Sequence, residues 1–324
     1  MLKIGILNLR KPAVGPKIFL KKLTVAIKEN KYAKITNALF PFFDIAIFNN
    51  IARNIYGKKY ILRLDGLFFD IKNTVGDSEK LNEKIFSSLE KSNGIVFQSN
   101  FSKKLFERFY GEIQIENTVI NNGSPINYKN NNGQAVLDLP QGKIIVVAIA
   151  HWRRHKRLKE IVELYKELTV QFKNLQLVVV GPATGFIASD DIMYLPNLTR
   201  DEIYYLLSKA HLMFHFSWLD NCPNSVVEAL SLGVPVLCTN QGGTQELIKM
   251  SNGGIVSNAD DEFNFEPVDL YNPPKPDMNT LYDDAVRLIE NLEFYKNKID
   301  KRMIDINNVA KRYVTFANKI YSRI

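Results

Sequence analysis

Trp218-Leu-Asp-Asn-Cys-Pro-Asn-Ser-Val-Val-Glu-Ala-Leu-Ser-Leu-Gly-Val-Pro-Val-Leu-Cys-Thr-Asn-Gln-Gly-Gly-Thr-Gln-Glu246 follows an apolar run, Leu212 to Phe216. That run has the length and makeup of a buried strand. Pro223 and Asn224 offer a turn and a helix N-cap, Val226 to Leu232 reads as a short helix, and Gly233 stops it. Pro235 to Thr239 reads as the next strand, and Gly242-Gly243 turns into another helix. Two strand–turn–helix units therefore stand side by side. Each presents backbone N–H groups at a helix start, where phosphate is favoured. Asp220 and Glu228 lie on either side of the first turn. A carboxylate repels phosphate but accepts hydrogen bonds from sugar hydroxyls.

The pattern acidic-x7-Glu-Ala-x3-Gly-x-Pro-Val-x5-Gly-Gly-x2-Glu, from Asp220 to Glu246, resembles the donor site of retaining GT-B glycosyltransferases. Family 4, the glycosyl transferases of group 1, is the nearest match in pattern. The resemblance implies an α/β fold, GT-B, with two Rossmann-like domains facing across a cleft and a last helix crossing back to the first. It also implies that the first acidic residue faces the transferred sugar and that Glu228 binds the ribose. Asp220 stands where the family usually has Glu. One methylene less leaves the identity of the sugar open. Glu228 alone would equally suit a helix start, where acidic side chains are favoured. The resemblance rests on the whole string of matches at fixed spacing.

A length of 324 residues suits two domains, and 46% hydrophobic residues are ample for two cores. No apolar run approaches the roughly 18–20 residues of a membrane span. Met1-Leu-Lys-Ile-Gly-Ile-Leu reads as a strand start and not as a signal peptide. Cys222 and Cys238 fit a reducing compartment and no disulfide framework. Cys222 sits in the key turn, but only His211 and His215 lie near it in sequence, so it reads as a packing residue. A cytoplasmic protein is expected, with peripheral contact at the inner membrane face as an option.

The net charge of +8 is unevenly placed: up to Pro125 there are 20 Lys+Arg against 11 Asp+Glu, and beyond it 22 against 23. The first part is therefore +9 and the remainder −1. A basic face attracts anionic partners such as lipid head groups or phosphorylated acceptors. It could equally reflect a lysine-rich composition. Lys17, Lys21 and Lys28 fall on one stripe of a helix expected over Lys17 to Lys28.

In chain order, Lys3 to Leu9 reads as a first strand, followed by a loop through Gly15-Pro16 and that helix. The resemblance assigns Gly15 to a backbone approach to the donor's diphosphate. Asp44 to Phe48 and Tyr60 to Leu64 read as the next strands. The second leads into Asp65-Gly66, at a strand end where ligands bind in such sheets. Many members of the family carry a His near this point; here the role is missing or passes to Asp65. Capping the turn is the alternative. Ser78 to Lys91 reads as a helix and Gly94 to Ser99 as a strand; Asn100 or Ser102 caps the helix to Tyr110. Tyr128-Lys-Asn-Asn-Asn-Gly133 reads as polar linker. The expected domains are 1–128, a linker 129–141, a nucleotide-sugar domain 142–300, and a terminal helix 301–324.

After the strand Lys143 to Ala150 comes His151-Trp-Arg-Arg-His-Lys-Arg-Leu-Lys159. Cations at a strand end could neutralise a departing diphosphate. The family has an Arg and a Lys here, about five apart. Lys156 matches the Lys, His151 stands at the Arg position, and Arg153 or Arg154 is the replacement. A generic or nucleic-acid basic patch is the rival reading. The resemblance places the nucleobase at Asn197 and Leu198, and phosphate at the N–H groups near Asn224, Ser225 and Val226. Met278 to Asn291 and Phe294 to Tyr321 read as two long helices.

There is no D-x-D triplet and no Cys/His cluster with ligand spacing. Asp190-Asp191 and Asp260-Asp261-Glu262 read as solvated loop charges. No metal and no other cofactor are expected. The function implied is metal-independent, retaining transfer from a UDP- or GDP-linked sugar to a hydroxyl of a glycan or lipid-linked acceptor, in cell-surface glycan biosynthesis. The catalytic set would be Asp220, Lys156, Arg153 and Asp65, with Glu228, Arg154, Gly15, Asn197, Leu198, Asn224, Ser225 and Val226 on the donor. The alternatives are an inactive nucleotide-sugar or nucleic-acid-binding module, or a sugar-nucleotide epimerase on the same fold. No nucleic-acid partner is expected.

Overall fold

Short aliphatic runs alternate with amphipathic stretches along the chain, and each run forms a strand of a parallel sheet. Such strands are covered on both faces, so they read as continuous apolar runs and not as alternating ones. The computed structural model describes residues 1–7, 16–53, 55–67, 69, 78–127, 137–182 and 191–323, the side chains at 16, 78 and 79 excepted. Gly15 and Asp190 lie outside these residues, as does most of the expected linker.

The first unit comprises Met1–Ser124, Phe265–Val268 and Met303–Ile324. Its elements are β1 (Lys3–Ile6), α1 (Pro16–Glu29), β2 (Lys34–Asn37), β3 (Ile45–Asn49), β4 (Lys59–Leu64), α2 (Ser78–Glu90), β5 (Gly94–Phe97), α3 (Asn100–Tyr110) and β6 (Asn117–Val119). The six strands pair in parallel in the order β2-β1-β3-β4-β5-β6. Lys17, Lys21 and Lys28 of α1 are exposed, whereas Lys22 is buried with Nζ 3.5 Å from Ser124 Oγ.

The second unit comprises Pro125–Asn264 and Asp269–Arg302. It contains β7 (Ile144–Ile149), α4 (Leu158–Gln171), β8 (Leu175–Val180), β9 (Ile192–Leu195), α5 (Arg200–Lys209), β10 (Leu212–His215) and α6 (Asn224–Ser231). β11 (Val236–Thr239), α7 (Thr244–Ser251), β12 (Gly254–Ser257), α8 (Met278–Glu290) and α9 (Leu292–Lys298) complete it. The parallel order is β12-β11-β10-β7-β8-β9. From β7 the chain winds one way through β8 and β9, then returns to start again at β10. The strand order thus reverses between β7 and β10, the place where open sheets of this kind bind ligands beyond the carboxyl ends of their strands.

The last helix, α10 (Ile306–Ser322), belongs to the first unit. Val309, Ala310, Tyr313, Val314, Ala317 and Ile320 form its apolar stripe and share one core with Phe19, Leu23 and Ile27 of α1. Gly94 permits the fit, because a Cβ there would stand 2.9 Å from the Ile320 side chain.

Four expectations need correction. Phe294 to Tyr321 is not one helix: residues 299–305 break it, with Asp300 N donating to Ser251 O at 2.7 Å and Asp305 capping α10. β2 and β12 were not foreseen. Lys34-Ile-Thr-Asn37 has a single apolar side chain and is held at a sheet edge by its backbone pairing. Ser99, and neither Asn100 nor Ser102, caps α3; its side chain accepts from Ser102 N at 3.0 Å in a capping box. At α6 the cap position is Pro223, and Asn224 is the first helical residue.

Candidate functional site

The turn after β7 is held by residues that hardly appear at the surface. Trp152 Nε1 donates to Val180 O at 3.0 Å, tying the turn to the end of β8. Arg154–Lys156 forms one 3-10 turn, and Arg157 leaves it in the left-handed region at φ 54. The Arg157 guanidinium is fully buried and bidentate to Asp260, at 2.8 and 2.6 Å, with a further bond to Pro274 O at 2.8 Å. Asp260 is therefore not the solvated loop charge expected of it. A buried, bidentate pair of this kind fixes geometry more than it adds stability. Here it fixes the backbone beside Lys156.

The loop after β10 approaches the same turn. Trp218 N donates to His155 O at 2.8 Å, and Leu219 adopts φ 59. Gly243 N donates to Asp220 O at 2.7 Å, and a Cβ on Gly242 (φ +79) would meet that same carbonyl oxygen at 2.7 Å. Only glycine allows this approach. The Gly-Gly pair after β11 thus pins the Asp220 backbone. Loops from three adjacent strands, β10, β11 and β7, meet at the switch point.

Lys156 Nζ donates to Asp220 Oδ2, and each side chain is 18% exposed. His215 ends β10 with 4% of its side chain exposed, and its Nε2 lies 3.8 Å from that same carboxylate oxygen. His215 Nε2 is buried and makes no hydrogen bond. Burial would raise the Asp220 carboxyl, but Lys156 and then His215 more than offset it, so Asp220 sits below the usual carboxylate range. Burial first of all, with the Lys156 charge acting the same way and Asp220 against it, holds both His215 and His155 down at about 4. Both imidazoles are neutral at physiological pH.

Arg153 and Arg154 are exposed on the turn. Glu228 is buried in α6, 8% exposed. Asn224, Ser225 and Val226 form the first turn of α6, which has no side-chain cap; N–H groups of a first turn have no partner within their own helix. Asn197 is exposed and Leu198 half-buried just beyond β9, at the sheet edge. Asp65 belongs to the first unit and is paired there with Arg63. Cys222 and Cys238 are buried thiols outside any disulfide, and burial pushes the Cys238 thiol well up. Among the described residues no group of three or more His, Cys, Asp or Glu is arranged to hold a metal, and no helix is long and apolar enough to cross a membrane. A groove of about 520 Å³ lies elsewhere, along β6 and α10 of the first unit, and holds none of these residues.

His215 and the pairing of Arg157 with Asp260 were missed by sequence reasoning, which read His155 and Arg157 only as members of the basic run. The signal for His215 was a polar residue inside the apolar run Leu212 to Phe216. Nothing in the sequence linked Arg157 to Asp260, 103 positions away.

Residues 130–264 match the family model described as glycosyl transferases group 1. Over 130 residues the chain is 28% identical to WcaC of Escherichia coli K12, assigned to glycosyl transfer in colanic acid biosynthesis; the match covers 38% of this chain and 32% of that protein. Over 169 residues it is 21% identical to N-acetyl-alpha-D-glucosaminyl L-malate synthase of Bacillus anthracis, covering 49% and 39%. The matched stretches thus span between about a third and two fifths of these relatives. Among solved structures, sucrose-phosphate synthase from Thermosynechococcus elongatus aligns with TM-score 0.73 over 99% of this chain and 100% of its own, at 12% identity. HepE of Anabaena, in complex with UDP and glucose, aligns with TM-score 0.67 over 98% and 100%, at 14% identity. At such identities the solved structures speak for the fold alone, which is GT-B, and residues 130–264 are similar to the glycosyl transferases of group 1.

Proposed function

We propose that this chain is a retaining glycosyltransferase that moves a sugar from a nucleotide-diphosphate sugar to a hydroxyl of a glycan or glycolipid. The observation that carries the reading is the Lys156–Asp220 pair at the switch point of the second sheet, four residues ahead of α6. A cation and a helix start suit a diphosphate, and a carboxylate suits sugar hydroxyls. Lys156, with Arg153 or Arg154, stabilises the charge that grows on the departing diphosphate. Glu228 holds the ribose, Asn197 and Leu198 the base, and Asp220 the sugar. The bond from the anomeric carbon to the diphosphate oxygen breaks, and the acceptor oxygen bonds to that carbon on the same face. The acceptor's proton passes to the departing phosphate. Cationic side chains take the place of a metal, so a chelator should leave turnover unchanged.

The first test is a thermal-shift screen with UDP, GDP, ADP, CMP and dTDP sugars. Ligand at about 100 times its Kd stabilises by about 2.7 kcal/mol. A UDP or GDP sugar should raise Tm most. Glu228→Gln should weaken that ligand by about 1.5–3 kcal/mol, the usual worth of a hydrogen bond to a charged group. No shift with any sugar nucleotide would refute the reading. The exposed stripe Lys17, Lys21 and Lys28 supports an anionic acceptor or the cytoplasmic membrane face. Pelleting with anionic vesicles that Lys17→Glu/Lys21→Glu abolishes is the expected result. Failure of the wild type to pellet at low salt excludes the membrane.

A further inference from the structure

Asp220 Oδ2 is addressed by two nitrogens. Lys156 Nζ is bonded to it, and His215 Nε2 waits at 3.8 Å, buried and without a hydrogen bond. Without ligand, then, Lys156 is occupied by the carboxylate, and the site neutralises itself. A diphosphate that recruits Lys156 would strip Asp220 of its cation just when the sugar arrives.

The three groups differ in freedom. His215 is locked in β10, in register with Cys238 of β11. The Asp220 backbone is pinned by Gly242 and Gly243. Lys156 has a long flexible stem on a half-buried turn and can move at little cost. We propose that Lys156 and His215 are alternate partners of Asp220: when a diphosphate draws Lys156 away, His215 Nε2–H closes onto the carboxylate and holds it for the transferred sugar. His215 is on this reading a positioning residue. The inference rests on the nucleotide-sugar function proposed above. The gap of 3.8 Å has only to shrink to the ~2.9 Å of an N–H···O bond. Because burial keeps the imidazole neutral, the exchange needs no proton transfer.

The experiment is NMR of 15N-histidine-labelled full-length protein, with the nucleoside diphosphate that stabilises it most. On saturation the His215 Nε2–H signal should move downfield. In Lys156→Met the signal should already stand near that position without ligand. In donor hydrolysis, His215→Phe should lower kcat roughly 10- to 100-fold, the worth of one hydrogen bond to a charged group. KM for the donor should stay within about twofold, because the interaction serves the transition state. His215→Gln, which offers an amide N–H in place of Nε2–H, should restore most of the loss. If a diphosphate binds but the His215 signal stays put in both wild type and Lys156→Met, the exchange is wrong while the proposed function stands. The same holds if His215→Phe folds and turns over like wild type. If no nucleotide binds, the function falls and the exchange with it.

Discussion

Each unit keeps a cation–carboxylate pair at the carboxyl ends of its strands, and the two pairs are built differently. In the first unit Arg63 is fully buried and Asp65 is 13% exposed. Arg63 also donates to Asn49 at 2.6 Å and Asn122 at 2.7 Å and lies 4.5 Å over the Phe19 ring. Asp65 accepts from Asn49 and, at 2.8 Å, from Gln98. In the second unit Lys156 and Asp220 are each 18% exposed and have a spare imidazole beside them. A buried network with its partners in place fixes structure; a part-exposed pair with a reserve partner can open for a ligand. Asp65 is thus part of a closed network in the first unit, whereas Asp220 sits in a pair that the function proposed above can open.

The largest effect expected from that contrast is on stability. Arg63→Ala strands a largely buried carboxylate and should cost about 3–5 kcal/mol in urea unfolding of the first unit. Lys156→Ala also leaves a mostly buried carboxylate, but His215 stands beside it as a second partner, so the loss should be smaller, about 1–2 kcal/mol. Equal losses in the two variants would erase the distinction.

Next comes turnover. Lys156→Ala should lower kcat about 10²- to 10³-fold, the cost of removing one donor from a developing oxyanion. It should weaken a bound nucleoside monophosphate far less, because its charge matters most as the diphosphate departs. Equal weakening of monophosphate and diphosphate ligands would leave Lys156 without that role.

The smallest effect is in acid. His215 is held at about 4 by burial, against 6.5 for the free side chain, with Asp220 and Lys156 as its charged neighbours. A depressed histidine favours the folded state above pH 6.5, and that advantage fades as pH falls toward about 4, because the unfolded chain then binds the extra proton. At pH 4.5 the second unit should have lost roughly 2–3 kcal/mol from this group, and His155 acts in the same direction. His215→Gln should remove that share of the slope in urea unfolding between pH 7 and 4.5. An unchanged slope would mean that His215 is charged in the folded protein.

Much of the fold was written locally. Strand runs such as Ile144–Ile149 and helix stops such as Gly233 follow from side-chain shape and backbone freedom within a few residues. The spacing from Asp220 to Glu246 pointed to Glu228 and the Gly-Gly pair for the same reason, and the basic run after β7 pointed to Lys156. Lys156 and the Gly-Gly pair lie in loops after strands, and Glu228 lies in the helix that follows one, places that local patterning already marks. Edge strands β2 and β12 escaped, since backbone pairing supported by a neighbouring strand leaves little trace in composition. The break before α10 escaped too, because hydrogen bonds to Ser251 and Ser124, far back in the chain, end one helix and place the next. Sequence alone determined which residue types could carry the chemistry. Only the tertiary structure decided their states: that Asp260 is buried on Arg157, that Asp65 is locked by Arg63, and that Asp220 lies between Lys156 and a neutral His215. Burial and distance set those states, and both depend on residues that the strand order of each sheet brings together from far along the chain.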